Sequence, residues 1–137
     1  HAAGARLFVL TNKPLAQTEL ILNRQGWTAF FDVVACPDDP RHPFSRKEEG
    51  AVRLAERAGL APPDTLMVGD APDDGRAARA AGWAFAAAGY GYGNLGGHGS
   101  SLEDGQTVVG RVADLRALLF AEPSFLPPPH DHPESLR

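Results

Sequence analysis

The chain has 137 residues, 43% of them apolar, with a formal net charge of −4 and a single cysteine; that length suits one domain with one core and leaves no room for a second. The negative balance, with Lys and Arg scattered along the chain, excludes the basic footprint of a nucleic-acid or anionic-membrane binder and leaves a small molecule as the expected partner. One cysteine allows no internal disulfide and no apolar run reaches the about 18 residues of a membrane span, so a reducing, cytoplasmic setting is expected.

Arg6-Leu7-Phe8-Val9-Leu10 reads as a short buried strand ending at Thr11-Asn12-Lys13, and Pro14 stands where a helix favours its first residue. That helix places Leu15, Thr18 and Leu22 on one face and stops near Gly26. Phe30 through Ala35 reads as the next strand, with Cys36 at its end a small core residue rather than a nucleophile, and Pro37 to Pro43 as a loop. Ser45-Arg46-Lys47-Glu48 has the Ser-x-x-Glu form of a capping box, opening an amphipathic helix with Val52, Leu54, Ala55 and Ala58 inward and Gly59 at its end. Lys47 thus falls in the first helical turn, where the helix dipole disfavours a cation by up to about 1 kcal/mol. A bound phosphate would offset that penalty.

Thr65-Leu66-Met67-Val68 reads as a buried strand that breaks off at Gly69-Asp70, and Pro72 with Asp73 and Asp74 opens an alanine-rich helix closed by Gly82. Asp70 therefore sits on a strand-to-helix turn at the carboxyl edge of a parallel sheet. A carboxylate there, with a second four residues on, suits a hard cation such as Mg²⁺; Asp73 serves the helix N-terminus equally well by its charge alone. Trp83 to Ala87 reads as another strand. The run from Gly89 to Gly99 is too rich in glycine for regular structure, lacks the context of a nucleotide fingerprint, and is expected to be a loop on the ligand edge. Thr107 to Val109 predicts an edge strand and Val112 to Phe120 a final helix. Residues 1–121 are thus expected to form the core, and the proline-rich residues 122–137, His130-Asp131-His132 included, a disordered, solvated tail.

Alternating strands and helices predict an α/β fold with a parallel sheet covered on both faces. Three turns then share one edge: Thr11 with Asn12, Lys47, and Asp70 with Asp74. A hydroxyl, backbone donors, an ammonium and a cation held by carboxylates together complement a phosphoryl group.

In that order and spacing the sequence resembles the haloacid dehalogenase (HAD) superfamily of phosphatases, in its phosphoglycolate-phosphatase-like branch, from about Gly4 to Phe120. Val9-Leu10-Thr11-Asn12-Lys13-Pro14 resembles the second motif of that family, and Lys47 its third-motif lysine, although Lys47-Glu48-Glu49-Gly50 departs from the usual Lys-Pro-x-Pro. Gly69-Asp70-Ala71-Pro72-Asp73-Asp74 matches the fourth motif, Gly-Asp-x-x-x-Asp. The resemblance implies a three-layer Rossmann-like sheet, a Mg²⁺ cofactor and a small phosphorylated metabolite as substrate. It implies Thr11 and Lys47 as catalytic residues, Thr11, Asn12 and Lys47 on the phosphate, Asp70 as the Mg²⁺ ligand and Asp74 as support for that metal shell.

The nucleophile of the family is an aspartate of an Asp-x-Asp strand that precedes the second motif and lies centrally, between the strands of the second and fourth motifs. No Asp-x-Asp precedes Thr11. The expected sheet is therefore incomplete, with three ways of meeting the gap: direct pairing of the strands around Leu7–Leu10 and Leu66–Val68, self-association, or an open edge. The leading expectation is a Mg²⁺-dependent phosphomonoester hydrolase of which this chain holds the binding half. The alternative is a catalytically inactive HAD-like module that binds a phosphate ligand or a protein partner. A receiver domain also uses aspartate, threonine and lysine on a parallel sheet, but there the acidic residues come first in sequence.

Overall fold

Each apolar run offered by the sequence becomes a strand; those at Phe8–Leu10 and Val33–Ala35 are shorter than expected, whereas Leu66–Gly69 and Ala84–Ala88 keep the expected length one residue further along. The computed structural model describes residues 4–93 and 107–120. Its elements are β1 (Phe8–Leu10), α1 (Leu15–Gln25), β2 (Val33–Ala35), α2 (Lys47–Ala58), β3 (Leu66–Gly69), α3 (Pro72–Ala81), β4 (Ala84–Ala88), β5 (Thr107–Val109) and α4 (Val112–Phe120). Every strand pair is parallel, with Val9 opposite Val34, Met67 opposite Phe85, and Ala87 opposite Val108. Parallel neighbours need long crossovers, and α1 and α3 supply them for the first two pairs.

The α/β class holds, but the sheet is divided. β1 and β2 form one sheet, and β3, β4 and β5 form another. Among the described residues β1 pairs only with β2, and β3 pairs with β4 alone; the direct pairing that would close the gap does not occur.

Side chains therefore join the two pieces, and α2 is the joint. Ala51 and Leu54 of α2 pack with Met67, Ala77, Ala78, Trp83, Phe85 and Ala87, and against that cluster lie Phe8 and Leu10 of β1 and Val33 and Ala35 of β2. Small residues let α2 approach closely. A Cβ added at Gly50 would stand 3.0 Å from both Leu10 Cδ1 and Phe44 Cδ1, so glycine seats the first turn of α2 on the end of β1. Gly59 and Gly82 end α2 and α3 in the left-handed region, at φ 63° and 71°.

Several local expectations are corrected. Residues Thr28–Phe30 form a 3₁₀ turn, so β2 begins only at Val33, and Trp83 lies before β4. The Ser45–Glu48 capping box does not form, because α2 starts at Lys47 with Arg46 as its cap; instead Glu49 Oε2 accepts from Ser45 N–H at 2.9 Å while Oε1 of the same carboxylate holds Arg53. With that start the buried face is Gly50, Ala51 and Leu54, and Val52, about 100° further round from Ala51, is left exposed rather than inward. Thr18 and Leu22 do form the buried face of α1, and Cys36 is fully buried, where desolvation pushes its thiol pKa up. No helix of the described residues is long and apolar enough to cross a membrane. The tail with His130-Asp131-His132, and the glycine-rich run beyond Gly93, lie outside the described residues.

The loop after β2 carries a small polar core. Asp39 is 1% exposed, and its carboxylate accepts from Arg41 N–H, Nε and Nη2, each at 3.0 Å. The neighbouring Asp38 accepts from Leu15 N–H at 2.7 Å, capping α1 from a distance. Arg41 holds the Asp39 carboxyl below its ordinary value of 3.8. A depressed carboxyl pKa contributes stability that is present above the unfolded value and lost as the pH falls through the folded one. Urea midpoints of Asp39→Asn should therefore lie below the wild type at neutral pH, with the difference shrinking as the pH drops below 3.8. In the joint itself, Leu54→Ala should cost about 2–4 kcal/mol in the same measurement.

Candidate active site

The turns after β1 and β3 lie close enough to hydrogen-bond, although their strands do not pair. Asn12 Nδ2 donates to Asp73 Oδ2 at 2.7 Å. Lys47 Nζ stands 3.4 Å from that same Asp73 oxygen and donates to Asp74 Oδ1 at 2.6 Å. Three sequence-distant segments thus meet in one series: Asn12, Asp73, Lys47, Asp74.

Asp74 is the fixed point of the series. Its side chain is 7% exposed, against 11% for Lys47. Its Oδ2 accepts from the N–H groups of Asp70 and Ala71, both at 3.0 Å, two donors that the start of α3 would otherwise leave unpaired. A carboxylate on a helix N-terminus is favourable, and its second oxygen then has an ammonium. Gly69 makes this possible: a Cβ there would fall on the Asp74 carboxylate. The Gly-Asp-x-x-x-Asp spacing is thereby a packing requirement, since the first glycine makes room for the last aspartate.

Lys47 lies in the first turn of α2, as the sequence places it, but the cost of a cation there is offset differently. Asp74 and Asp73 neutralise it within the chain, so a phosphate is not needed to account for its position. Thr11 is bonded back on its own turn, with its N–H donating to Ala35 O at 3.1 Å and its Oγ1 accepting from Lys13 N–H at 3.1 Å. It stands beside Asn12 in the chain and makes no side-chain bond to Lys47 or Asp70.

Asp70 differs from Asp74. Among the described residues its carboxylate has one hydrogen bond, accepted by Oδ2 from Gly93 N–H at 3.0 Å. As a donor to a hard cation Asp70 fits, because its Oδ1 has no hydrogen bond among the described residues, on a turn at the carboxyl edge of β3. Asp74 does not fit as a direct ligand, since both its oxygens are occupied. No group of three or more His, Cys, Asp or Glu side chains arranged for a metal gathers among the described residues, so they supply one ligand and not a full shell.

Three residues join the site beyond those the sequence assigns to it. Asp73 resembled a mere helix-dipole residue, yet it joins Asn12 to Lys47; its place one residue before Asp74 on a first turn was the available signal. Gly91 and Gly93 belong to the run expected as a loop on the ligand edge, and both lie against Asp70. They leave β4, the neighbour of β3, so their turn had to emerge at the same edge. Gly69→Ala should lower stability by about 2–4 kcal/mol in denaturant titrations by dislodging Asp74 from its partners, whereas Gly110→Ala, with only Asp114 Oδ2 at 4.0 Å from an added Cβ, should not clash and should change stability little.

A family model for haloacid dehalogenase-like hydrolases matches residues 1–82. The chain is 30% identical over 122 residues to a phosphoglycolate phosphatase of Nitrosococcus oceani, covering 85% of this chain and 50% of that protein. It is 34% identical over 124 residues to a phosphoglycolate phosphatase of Aliivibrio fischeri, with 88% and 50% covered. It therefore spans about half the length of these relatives. Its fold matches that of a haloacid dehalogenase-like family hydrolase from Streptococcus pneumoniae with a TM-score of 0.70 at 20% identity, over 85% of this chain and 53% of that one. With the family model spanning more than half of its residues, the chain belongs to the haloacid dehalogenase-like hydrolases.

Proposed function

We propose that this chain forms the phosphate- and cation-binding half of a Mg²⁺-dependent hydrolase that acts on a small phosphomonoester, of the kind its phosphoglycolate phosphatase relatives handle. The observation that carries the reading is the Asn12–Asp73–Lys47–Asp74 series, which ties the ends of two unpaired sheets at one edge. Its charge balance matters most. One ammonium among Asp70, Asp73 and Asp74 leaves the site net negative, and a phosphomonoester dianion entering alone would be repelled. A divalent cation reverses that sign.

Within this reading Thr11 presents its hydroxyl, and Asn12 its side-chain amide and backbone N–H, to the phosphoryl oxygens. Lys47, held by Asp74 and Asp73, offers its remaining N–H direction and its charge, pre-oriented so that little rotamer entropy is lost on binding. Asp70 would hold the cation through Oδ1, and Asp74 would keep the Asp70 backbone and the ammonium in place. The cation, when bound, supplies charge neutralisation and polarisation of a phosphoryl oxygen. Attack falls, by the family resemblance, to an aspartate on a strand lying between β1 and β3. The unpaired edges of those strands are where such a strand, or one from a second copy, would add.

The test is orthophosphate binding by calorimetry with Mg²⁺ or with EDTA, with p-nitrophenyl phosphate turnover followed in the same samples. Binding should require Mg²⁺ and weaken about tenfold or more in Lys47→Met and in Asp70→Asn. Equal binding in EDTA, or binding indifferent to both substitutions, would overturn the site. Turnover sensitive to Asp70→Asn supports the hydrolase; Mg²⁺-dependent binding without turnover supports the inactive module.

A further inference from the structure

The short turn after β4 touches one functional side chain, and does so through backbone. Gly91 N–H donates to Ala88 O at 2.9 Å, which folds the turn back on the strand end, and Gly93 N–H then reaches Asp70 Oδ2 at 3.0 Å. Neither position tolerates a side chain: a Cβ at Gly91 would fall on the Asp70 side chain, and one at Gly93 on the Asp70 main-chain carbonyl. Two glycines are thus needed for a single backbone donor to meet a single carboxylate oxygen. This contact makes no contribution to the core, since it joins one partly buried loop to another.

We propose that the Gly91–Gly93 turn is a positioning element that makes Asp70 a one-oxygen cation ligand, and so biases the site toward Mg²⁺ over Ca²⁺. The proposal rests on reading Asp70 as a cation ligand. With Oδ2 turned to the Gly93 N–H, the carboxylate has Oδ1 left to present among the described residues. Mg²⁺ takes single carboxylate oxygens in a tight octahedron and keeps several waters, whereas Ca²⁺ accepts six to eight oxygens and commonly uses both oxygens of one carboxylate. Holding one oxygen away removes the two-oxygen mode that favours the larger ion, and fixing the rotamer spares Mg²⁺ the cost of ordering its ligand. Gly91 and Gly93 act on the cation only through Asp70.

Amide-detected NMR titrations of the ¹⁵N-labelled chain with MgCl₂ and with CaCl₂ test this in the wild type, Gly93→Ala, Gly91→Ala and Asp70→Ala. Gly93→Ala should weaken Mg²⁺ binding about tenfold and Ca²⁺ binding less, shrinking the preference for Mg²⁺. Loss of cation binding in Asp70→Ala together with an unchanged Mg²⁺ to Ca²⁺ ratio in both glycine variants would overturn the proposal and leave the cation site standing. Mg²⁺ binding indifferent to Asp70→Ala would overturn both. Should the glycine variants lose spectral dispersion, exchange of the Gly93 amide decides without metal: it should be slow in the wild type and faster in Asp70→Ala, and equal exchange in the two would sink the proposal.

Discussion

The pairing of Lys47 with Asp74 is the constraint on which the rest of the structure depends. A nearly buried ion pair contributes stability only when the remaining hydrogen-bonding capacity of both groups is met. Here the chain meets it from several directions at once. The start of α3 gives Asp74 two backbone donors, Gly69 gives it room, and Asp73 gives the ammonium a second anion. α2 must in turn begin at Lys47, seated on β1 by Gly50, for the ammonium to arrive. The ion pair therefore fixes where two helices start, and those starts fix where the turns after β1 and β3 stand.

Much of this was legible in the sequence, and the reasons differ between residues. The elements β3 and α3 were readable because an apolar run, a glycine and a proline-led acidic turn all agree locally, and Gly82 closes the helix by its backbone alone. Asp70, Asp74 and Lys47 were readable as a set because three strand-to-helix turns of a parallel fold share one edge. What failed was decided by tertiary packing. Ser45 lost the cap when Glu49 reached back to its N–H, and Val52 turned outward once Gly50 and Ala51 were chosen to face β1 and the core. Asp73 had only its place beside Asp74 to announce it, and the glycines at 91 and 93 only a loop expected at the ligand edge, because each acts on a residue from another unit.

The division into two sheets alters what holds the site in shape. In a continuous sheet, ladder hydrogen bonds would set the spacing between the β1 and β3 turns. Here that spacing rests on the apolar contacts of α2 and on the polar series from Asn12 to Asp74. The same side chains that would meet a phosphoryl group are thus also structural ties, so changes to them act on architecture as well as on chemistry. Asp39 and Arg41 show the opposite arrangement, a buried carboxylate satisfied within its own loop and independent of the joint.

The brevity of the strands beside the gap has a consequence for the chain in solution. Exposed strand edges are templates for unwanted pairing, and Val68, at 38% exposure, puts an apolar side chain beside one of them. Yet β1 offers only three residues and β3 only four, each run cut short by a turn committed to other bonds. A foreign strand docking there would gain few ladder bonds and would have to match both edges in parallel to gain more. Shortness thus limits the ladder bonds that a foreign strand can gain at either edge, which acts against aggregation.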